Sequence, residues 1–504
     1  MADLPSFLAT QTRQHAPRLA LQCRPRYRTI RWSYRDLAAQ TQRIATGLQR
    51  CGIGPADRVL LFAENSPAWV AAFFAIVSRG AVAVPLNPKS PVPQLERLVA
   101  SAEPRLALVS DRCPWPATPL PLLRIDAVPD RDQGPEDPLS PEPRGADGIA
   151  EIIYTSGTTG DPKGVMLSHG NLLSNLEAVR RAVPLQPEDH VLTLLPLFHV
   201  FGQMTGILCP LRAGASVTYL AAPTSRAILD ALAHTPATHL VVIPEVLKTM
   251  MDRLEARLGR LPGWSRRLLR ARIRRRISPT LRTLVCGGAP LDPELEDKWW
   301  SLGFNLLQGY GLTETSPVIA ANTVAAHRTG SVGKPVEGVQ VRIADDGEVL
   351  VQGAGVMQGY FRNPAGTAEV FVDGWFRTGD GGRLDEAGFL HVFGRRKYMI
   401  LGPSGENVFP EDIEAELNRQ PGISDSAVVG LDRNGRTIVH AVLLCELGSA
   451  ERSVVEANRH LAPHQQITGW SVWPDADFPR SVTRKVRKEE VITRLAEHPA
   501  AAAA

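Results

Sequence analysis

Short β-rich runs alternate with helical patterns over most of this chain, and this alternation limits its fold more than any other sequence feature. Amphipathic stretches such as Ser33–Cys51 and Asn171–Val183 lie between the runs, while Pro114–Arg144 is rich in Pro and Asp and predicts a loop or a connection between subdomains. Alternation of this kind predicts α/β layers built on largely parallel sheets. The candidate strands are Arg58–Phe62, Arg105–Val109, Ile149–Tyr154, His190–Leu194, Ser216–Tyr219, His239–Ile243 and Leu281–Val285.

The pattern changes in the last third of the chain. Residues 338–394 carry short alternating strands with glycine turns, which predicts a small β subdomain. After a basic run at Arg395–Lys397, the elements are a helix near Pro410–Arg419 and strands near Ser426–Leu431 and Thr437–Leu444. We therefore predict an N-terminal domain over residues 1–394, a hinge at 395–397 and a C-terminal α+β domain over 398–504.

Composition narrows the functional class. The formal net charge of +4 over 504 residues is too small to indicate a nucleic-acid partner. The longest apolar stretch, Ala68–Leu86, is interrupted by Ser78–Gly80, so it predicts a buried helix and strand rather than a membrane span. The start of the chain, Met1–Phe7, lacks the pattern of a leader peptide, and the six dispersed cysteines form no metal-ligand spacing. We expect reduced cysteines in a cytoplasmic protein.

The stretch Tyr154–Gly164 directly follows the apolar pair Ile152-Ile153 and consists mainly of hydroxyl residues and glycines around one lysine. Glycine lets backbone N–H groups approach a polyphosphate closely, the hydroxyls add donors, and Lys163 adds a compact charge. Pro162 before the lysine and Gly164 after it distinguish the string from a Walker A loop. A Gly/Thr-rich surface loop is the alternative, but the full string after a strand favours a polyphosphate-binding loop.

A second motif, Gln308–Ser316, combines a carboxylate with hydroxyls behind a glycine-flanked aromatic residue. Tyr310 can stack on a base, Glu314 can hold a hard cation such as Mg²⁺, and Thr313 can donate to a phosphate. The alternative is a tight turn before a helix.

Five further motifs are each compatible with an ordinary structural role when taken alone. Asp380 can accept hydrogen bonds from ribose hydroxyls, Arg395 can bind ribose or phosphate, and a lysine in the basic C-terminal run can stabilise a reacting carboxylate and phosphate. A β-turn, a solvated linker and a solvated tail are the respective alternatives, and a lone His199 in an apolar run is more often a core residue. The motifs are Leu195–Gly202, Cys286–Leu291, Gly374–Asp380, Gly394–Ile400 and Pro479–Lys488.

Together and in this order, the seven motifs resemble the adenylate-forming superfamily of acyl-CoA synthetases, peptide-synthetase adenylation domains and luciferases. The resemblance covers nearly the whole chain. It implies a large N-terminal domain of two α/β sheets and a small β-barrel, followed by a smaller, mobile α+β domain.

The resemblance also implies roles for matching positions. Lys485 would orient the carboxylate and the α-phosphate, although Arg484 stands where the family usually has Gly, and arginine does not readily adopt positive φ. The other implied positions are Thr155, Ser156, Gly157, Thr158, Thr159, Gly160 and Lys163 at the phosphates; Gly287, Gly288, Ala289, Pro290 and Tyr310 around the adenine, with Gln308, Gly309 and Gly311 as neighbouring nucleotide contacts; Thr313 at the α-phosphate; Glu314 at Mg²⁺; Asp380 and Arg395 at the ribose; His199 at the mouth of the acyl pocket; Lys397 at the hinge; and Gly405 and Glu406 beside the thiol tunnel.

The implied activity is that of an acid–thiol ligase with ATP, Mg²⁺ and coenzyme A as cofactors. ATP would convert a carboxylic acid into acyl-AMP with release of pyrophosphate, and the acyl group would then pass to coenzyme A. The strings Leu197–Gly202 and Gly405–Glu414 are closest to the medium- and long-chain fatty acyl-CoA synthetases, which predicts a fatty acid substrate. Two alternatives stay open: a ligase that loads an acyl carrier protein, and a weakly active adenylate-binding regulator.

The segment Arg253–Arg276 is rich in arginine and has helically spaced leucines. A solvated helix face is the usual interpretation of such a pattern. Peripheral contact with an anionic membrane surface, or contact with an acidic carrier protein or the phosphates of coenzyme A, are the alternatives.

Overall fold

The structure is a computed structural model that describes residues 2–24, 29–116, 118–126, 145–155, 162–220, 225–258, 277–401, 407–433, 436–445, 448–480 and 486–497. The chain divides into two compact units. Unit 1 comprises residues 1–340 and 351–376, and unit 2 comprises residues 341–350 and 377–504. The domain boundaries at 394 and 398 are predicted around a hinge. A hinge is defined by motion, so the hinge and these boundaries stay predictions.

The helices are given in chain order. They span Leu4–Gln14, Tyr34–Arg50, Pro67–Ser78, Val92–Ala102, His169–Ala182, Val200–Gln203, Cys209–Ala213, Ser225–His234, Pro244–Leu258, Pro293–Ser301, Pro364–Glu369, Pro410–Leu417, Ala450–Asn458 and Lys488–Glu497. A π-helical turn covers Met204–Leu208, and 3₁₀ turns cover Thr313–Thr315, Arg396–Tyr398 and Pro463–Gln465.

Local chemistry sets where several helices begin. The Ser33 hydroxyl accepts a hydrogen bond from the Asp36 N–H at 3.1 Å, and the Asp36 carboxylate accepts one from the Ser33 N–H at 2.8 Å, which is a reciprocal capping box. Ser168 and Asn171 repeat this arrangement before the helix His169–Ala182. The helix Pro67–Ser78 is apolar on all sides and largely buried, as a helix inside a large core should be.

The strands are labelled in chain order. They are β1 (Leu19–Cys23), β2 (Ile30–Ser33), β3 (Arg58–Phe62), β4 (Val82–Pro85), β5 (Leu106–Val109), β6 (Leu122–Arg124), β7 (Ile149–Thr155), β8 (Lys163–Ser168), β9 (His190–Thr193), β10 (Ser216–Tyr219), β11 (His239–Val242), β12 (Thr283–Cys286), β13 (Asn305–Tyr310), β14 (Ala320–Ala321), β15 (Lys334–Pro335), β16 (Val339–Ile343), β17 (Glu348–Gly353), β18 (Gly359–Tyr360), β19 (Phe371–Val372), β20 (Trp375–Leu384), β21 (Leu390–Arg395), β22 (Ile400–Leu401), β23 (Asn407–Val408), β24 (Ile423–Arg433), β25 (Arg436–Cys445) and β26 (Gly469–Val472).

Unit 1 contains two large mixed sheets. One runs in the order β15-β14-β13-β12-β11-β9-β10-β1-β2, and its central strands from β13 to β1 are parallel. The other runs β18-β8-β7-β4-β3-β5-β6, with parallel strands from β7 to β6 and antiparallel strands β8 and β18 at its other end. Helices alternate with these strands along the chain, so the α/β prediction is confirmed.

The predicted strands of unit 1 are present within a few residues of their predicted ends. One addition lies inside Pro114–Arg144, where a loop was predicted. The short strand β6 pairs in parallel with β5, and residues 127–144 lie outside the described part of the chain. Its three residues are too few to show the alternation on which a strand prediction depends.

A small sheet runs β16-β17-β20-β19, with β21 paired to β20. In unit 2, the β20–β21 pair is antiparallel, and β24 and β25 form a longer antiparallel pair to which β26 adds in parallel. The core of this last sheet packs against the helices Pro410–Leu417 and Ala450–Asn458 through buried side chains such as Ile413, Val428 and Val454. The predicted helix and strands of the C-terminal region are therefore present.

Two sequence expectations concern the chain as a whole. The six cysteines all lie in described ranges, and none of them forms a disulfide in the structure. Within those ranges, no helix combines the length and apolar character needed to cross a bilayer.

Candidate active site

The ends of the predicted phosphate loop lie on two adjacent strands. Thr155 ends β7 and Lys163 begins β8, and the antiparallel register places them directly opposite each other. The Thr155 hydroxyl also donates to the Lys163 carbonyl at 3.5 Å. The predicted positions Ser156, Gly157, Thr158, Thr159 and Gly160 lie outside the described residues. The sheet thus brings together the first and last residues of the loop.

The predicted adenine contacts follow two neighbouring parallel strands. Cys286 at the end of β12 is opposite Gln308 in β13, so Gly287 and Gly309 are adjacent. A Cβ atom on Gly287 would lie 3.0 Å from the Phe201 ring and 3.2 Å from the Gly309 carbonyl oxygen, so the turn leaves little space at this position. The neighbouring predicted contacts Gly288, Ala289, Pro290 and Tyr310 are at least partly solvent-accessible, as a nucleotide site requires.

Thr313 and Glu314 stand in a 3₁₀ turn that follows β13. Gly311 leads into this turn, and a Cβ atom there would lie 1.6 Å from the Pro317 carbonyl oxygen, so only glycine fits. The Thr315 hydroxyl accepts from the Leu312 N–H at 3.0 Å and donates to the Pro317 carbonyl at 3.0 Å. These bonds fix the turn and leave the Thr313 and Glu314 side chains partly exposed.

Tyr360 joins Lys163 to Glu314. Its hydroxyl donates to the Glu314 Oε1 at 3.1 Å, and the Lys163 Nζ lies 5.0 Å from the centre of its ring. All three residues belong to unit 1. The fold therefore brings the lysine of the phosphate loop to the ring of Tyr360, and the predicted metal-binding carboxylate to its hydroxyl.

The single carboxylate of Glu314 fits a Mg²⁺ ion that is also bound by phosphate oxygens. Among the described residues, only the Tyr360 hydroxyl donates a hydrogen bond to this carboxylate, at Oε1. No cluster of three or more metal-binding side chains occurs in the described ranges. A single protein carboxylate, completed by phosphate oxygens and water, is the usual arrangement for Mg²⁺ in nucleotide sites.

His199 lies at the start of the helix Val200–Gln203, where its neighbour Phe198 packs against it with ring centres 4.4 Å apart. Burial lowers the pKa of His199 to about 4, so the ring is neutral near pH 7. Its Nε2 is shielded from solvent and has no hydrogen-bond partner among the described residues. A neutral ring is compatible with an apolar environment, and the position that the resemblance implies for His199, at the mouth of the acyl pocket, stays a prediction.

A buried acid–amide pair lies one helical turn beyond His199. Gln203 Nε2 donates to Glu151 Oε2 at 2.9 Å, and Glu151 is fully buried in β7, four residues before Thr155. Burial raises the pKa of Glu151 to about 8, while the bond from Gln203 lowers it to a smaller extent. The carboxyl is therefore largely protonated near pH 7.

In unit 2, the predicted ribose contacts face each other across β20 and β21. Asp380 is opposite Arg395 in register, and the Arg395 Nε lies 3.0 Å from the Asp380 Oδ1. Arg395 Nη1 also donates to the Thr378 carbonyl at 2.9 Å. The two residues are thus together, and the strand pairing fixes their separation.

Lys397, the predicted hinge residue, forms an ion pair with Glu489 at the start of the last helix, and its Nζ lies 4.8 Å from the centre of the Tyr398 ring. The other predicted positions of unit 2, which are Gly405, Glu406, Lys485 and the unusual Arg484, lie outside the described residues. So does the portion 259–276 of the basic segment.

Tyr360 and Glu151 are residues that the sequence reasoning did not single out. Glu151 could have been found, because it is one acid inside the apolar run Ile149–Ile153, on a strand predicted to be buried. Tyr360 follows a glycine in a two-residue strand, and none of the seven motifs includes it. Its relation to Glu314 arises from the sheet and could not be read from spacing.

Comparison with known proteins agrees with this geometry. Residues 8–361 match the family model described as AMP-binding enzyme. The chain is 32% identical over 482 residues to a feruloyl-CoA synthase of Amycolatopsis sp., covering 92% of this chain and 94% of that protein. It is also 32% identical over 454 residues to the long-chain-fatty-acid–CoA ligase FadD15 of Mycobacterium bovis, covering 78% of this chain and 74% of that protein.

Solved structures share the fold. The ATP-bound MatB from Rhodopseudomonas palustris superposes with a TM-score of 0.81 at 27% identity, covering 98% of this chain and 99% of that one. The O-succinylbenzoate coenzyme A synthetase of Bacillus subtilis in complex with ATP and a magnesium ion has a TM-score of 0.80 at 24% identity, covering 96% and 99%.

Proposed function

Since the chain belongs to the AMP-binding enzyme family, we propose that it is an ATP- and Mg²⁺-dependent acid–thiol ligase that makes an acyl-CoA through an acyl-adenylate. The observation that carries this proposal is the grouping of Lys163, Tyr360 and Glu314 in unit 1. A cation and a carboxylate that contact the same tyrosine match the charge pattern of a magnesium-bound polyphosphate.

The proposed reaction has two steps. A carboxylate oxygen of the acid attacks the α-phosphorus of ATP, and pyrophosphate leaves. The thiolate of coenzyme A then attacks the acyl carbon, and AMP leaves with the oxygen that joined it to the acyl group. Both reactants of the first step are anions, so the enzyme must offset their repulsion and align them.

The residues divide this work as follows. Glu314 would hold Mg²⁺, which when bound would neutralise phosphate charge. Lys163 would bind the phosphates that leave as pyrophosphate, and Thr313 would donate to the α-phosphate. We propose ribose binding by Asp380 and Arg395, and stabilisation of the reacting carboxylate by Lys485.

The acid is proposed to be a medium- or long-chain fatty acid, because the motif around His199 resembles that of the fatty acyl-CoA synthetases and because FadD15 is among the relatives. The neutral His199 ring and the adjacent Phe198 favour an apolar acyl chain. An aromatic acid is the second candidate. It is favoured by the feruloyl-CoA synthase and by an indoleacetate–CoA ligase of Aromatoleum aromaticum, 32% identical over 91% of this chain.

An acid panel tests the proposal. Exchange of labelled pyrophosphate into ATP is measured with fatty acids of increasing chain length, ferulic acid and indoleacetic acid, and thioester formation is then measured with coenzyme A and with an acyl carrier protein. We expect acid-dependent exchange and the highest activity with a fatty acid and coenzyme A. Preference for an aryl acid would replace the fatty acid assignment, and transfer only to the carrier protein would replace the acceptor. Absence of exchange with every acid would favour a regulator.

The proposed location is the cytoplasm. The proposed use of ATP and coenzyme A supports it. Peripheral membrane contact through Arg253–Arg276 is testable by co-sedimentation with anionic vesicles, which should weaken with salt if the contact is electrostatic.

A further inference from the structure

Tyr360 is held in place more firmly than either charged group that it contacts. Its side chain is buried, with 6% of the residue exposed, and it pairs with Val165 in the neighbouring strand β8. Its N–H donates to the Thr367 hydroxyl at 2.9 Å, and that hydroxyl donates to the Asn363 carbonyl at 2.8 Å. The aromatic ring therefore has a fixed backbone and a packed environment.

The same segment also holds the backbone of Glu314. The Met357 N–H donates to the Glu314 carbonyl at 2.8 Å, and three residues later the Tyr360 hydroxyl donates to the Glu314 carboxylate at 3.1 Å. Two separate bonds thus fix the position of Glu314 and the rotation of its carboxylate relative to the segment 357–360. A carboxylate that is oriented in advance loses less entropy when it binds a cation.

The face of the Tyr360 ring serves the opposite charge. Lys163 Nζ lies 5.0 Å from its centre, within the range of a cation–π contact. An aromatic ring attracts the ammonium group without neutralising it. A carboxylate in the same place would form an ion pair with the lysine and compete with phosphate for it.

We infer that Tyr360 is a positioning residue for MgATP: its hydroxyl orients Glu314 towards the metal, and its ring holds Lys163 in reach of the phosphates. The inference rests on the proposed function for the identity of the ligand. The contacts of Tyr360 with Glu314 and Lys163 thus give the strand Gly359–Tyr360 a role in binding the metal and the nucleotide.

The test separates the hydroxyl from the ring. Tyr360→Phe removes the donor to Glu314 and keeps the ring beneath Lys163. The matched control is Tyr219→Phe, which removes another buried tyrosine hydroxyl, one that donates to the Gly206 carbonyl at 2.8 Å. Binding of Mn²⁺ with ATP is measured by electron paramagnetic resonance without any acid, and pyrophosphate exchange is measured against Mg²⁺ concentration.

We expect Tyr360→Phe to weaken Mn²⁺ binding about tenfold, since the lost bond is to a charged group. It should raise the Mg²⁺ requirement of exchange by a similar factor, with kcat at saturating Mg²⁺ close to wild type. Tyr219→Phe should change neither. Tyr360→Leu removes the ring as well. This variant should show the same metal effect and, in addition, a higher KM for ATP, because Lys163 loses its cation–π contact.

Three outcomes would overturn the inference. They are wild-type metal dependence in Tyr360→Phe, an equal change in Tyr219→Phe, and an additive effect of Tyr360→Phe in a Glu314→Gln background, where no carboxylate remains to be oriented. The Mn²⁺–ATP measurement needs no turnover. A wild-type protein that binds Mn²⁺ and ATP but exchanges no pyrophosphate would contradict the proposed function while leaving the Tyr360 test intact.

Discussion

The charged candidate site residues of the two units differ in whether they form ion pairs. In unit 1, Lys163 and Glu314 each contact the neutral Tyr360, and neither forms an ion pair with another described residue. In unit 2, Asp380 is paired with Arg395, and Lys397 with Glu489. The candidate site charges of unit 1 are thus not neutralised by any described residue of opposite charge, whereas those of unit 2 are already paired.

This difference has an energetic consequence. A charge without an opposite partner gains its full interaction when a ligand charge arrives. A charge that is already paired must weaken one interaction to form another, so its net gain is smaller. We therefore expect loss of the Glu314 charge in unit 1 to cost more activity than loss of the Asp380 or Lys397 charge in unit 2.

The largest expected effect is that of Glu314→Gln in unit 1. Loss of the metal-binding carboxylate should lower the rate of pyrophosphate exchange about 10²–10³-fold, the cost of removing one strong electrostatic contact to a transition state. Glu337→Gln, at a carboxylate with 62% of its side chain exposed, is the matched control. Equal rates in the two variants would remove Glu314 from the site.

Glu151→Gln tests whether the buried acid of unit 1 is neutral. Its folded pKa of about 8 lies above its ordinary value of 4.5, so the stability that comes from burying the protonated acid is complete below pH 4.5 and is lost as the pH rises towards 8. Glutamine has no proton to lose. The variant should therefore become more stable than wild type by on the order of 3 kcal/mol between pH 5 and pH 8.

Thermal unfolding measured across that pH range checks the Glu151 prediction. Glu188→Gln, at a side chain that is 78% exposed, should show no such pH dependence relative to wild type. A constant difference between Glu151→Gln and wild type at all pH values would mean that Glu151 is ionised in the folded protein, and unit 1 would then hold a buried charge.

The local parts of the fold were predictable and the contacts between distant segments were not. The strand Arg58–Phe62 has the predicted bounds, because a short apolar run between turn residues is a local signal. The motif around Glu314 was recognisable because its residues are consecutive. The bond from Tyr360 to Glu314 joins residues 46 apart in sequence and depends on how β18 pairs with β8.

Asp380→Asn tests the paired charges of unit 2. We expect the KM for ATP to rise about three- to tenfold, less than the effect of Glu314→Gln, because the substitution also releases Arg395. Arg395→Gln and the double variant complete a double-mutant cycle, in which the two effects should be less than additive. Additive effects would mean that the two residues act independently, against the observed 3.0 Å pair.

The smallest effect is expected for Lys397→Met. Both side chains of its pair with Glu489 are partly exposed, 34% and 48%, so its loss should lower the free energy of unfolding by no more than about 0.5 kcal/mol. Denaturant unfolding measures this, with Glu489→Gln as the partner variant. If the free energy of unfolding falls by several times the expected amount, the pair stabilises unit 2 more than a partly exposed ion pair can.

The most direct test of the proposed chemistry follows the oxygen atoms of the acid. The protein is incubated with ATP, Mg²⁺, coenzyme A and a fatty acid whose carboxylate carries ¹⁸O, and the products are analysed by mass spectrometry. An acyl-adenylate route predicts one ¹⁸O atom in the phosphate of AMP and none in pyrophosphate. Formation of ADP with ¹⁸O in inorganic phosphate would mean attack at the γ-phosphate and would contradict the account.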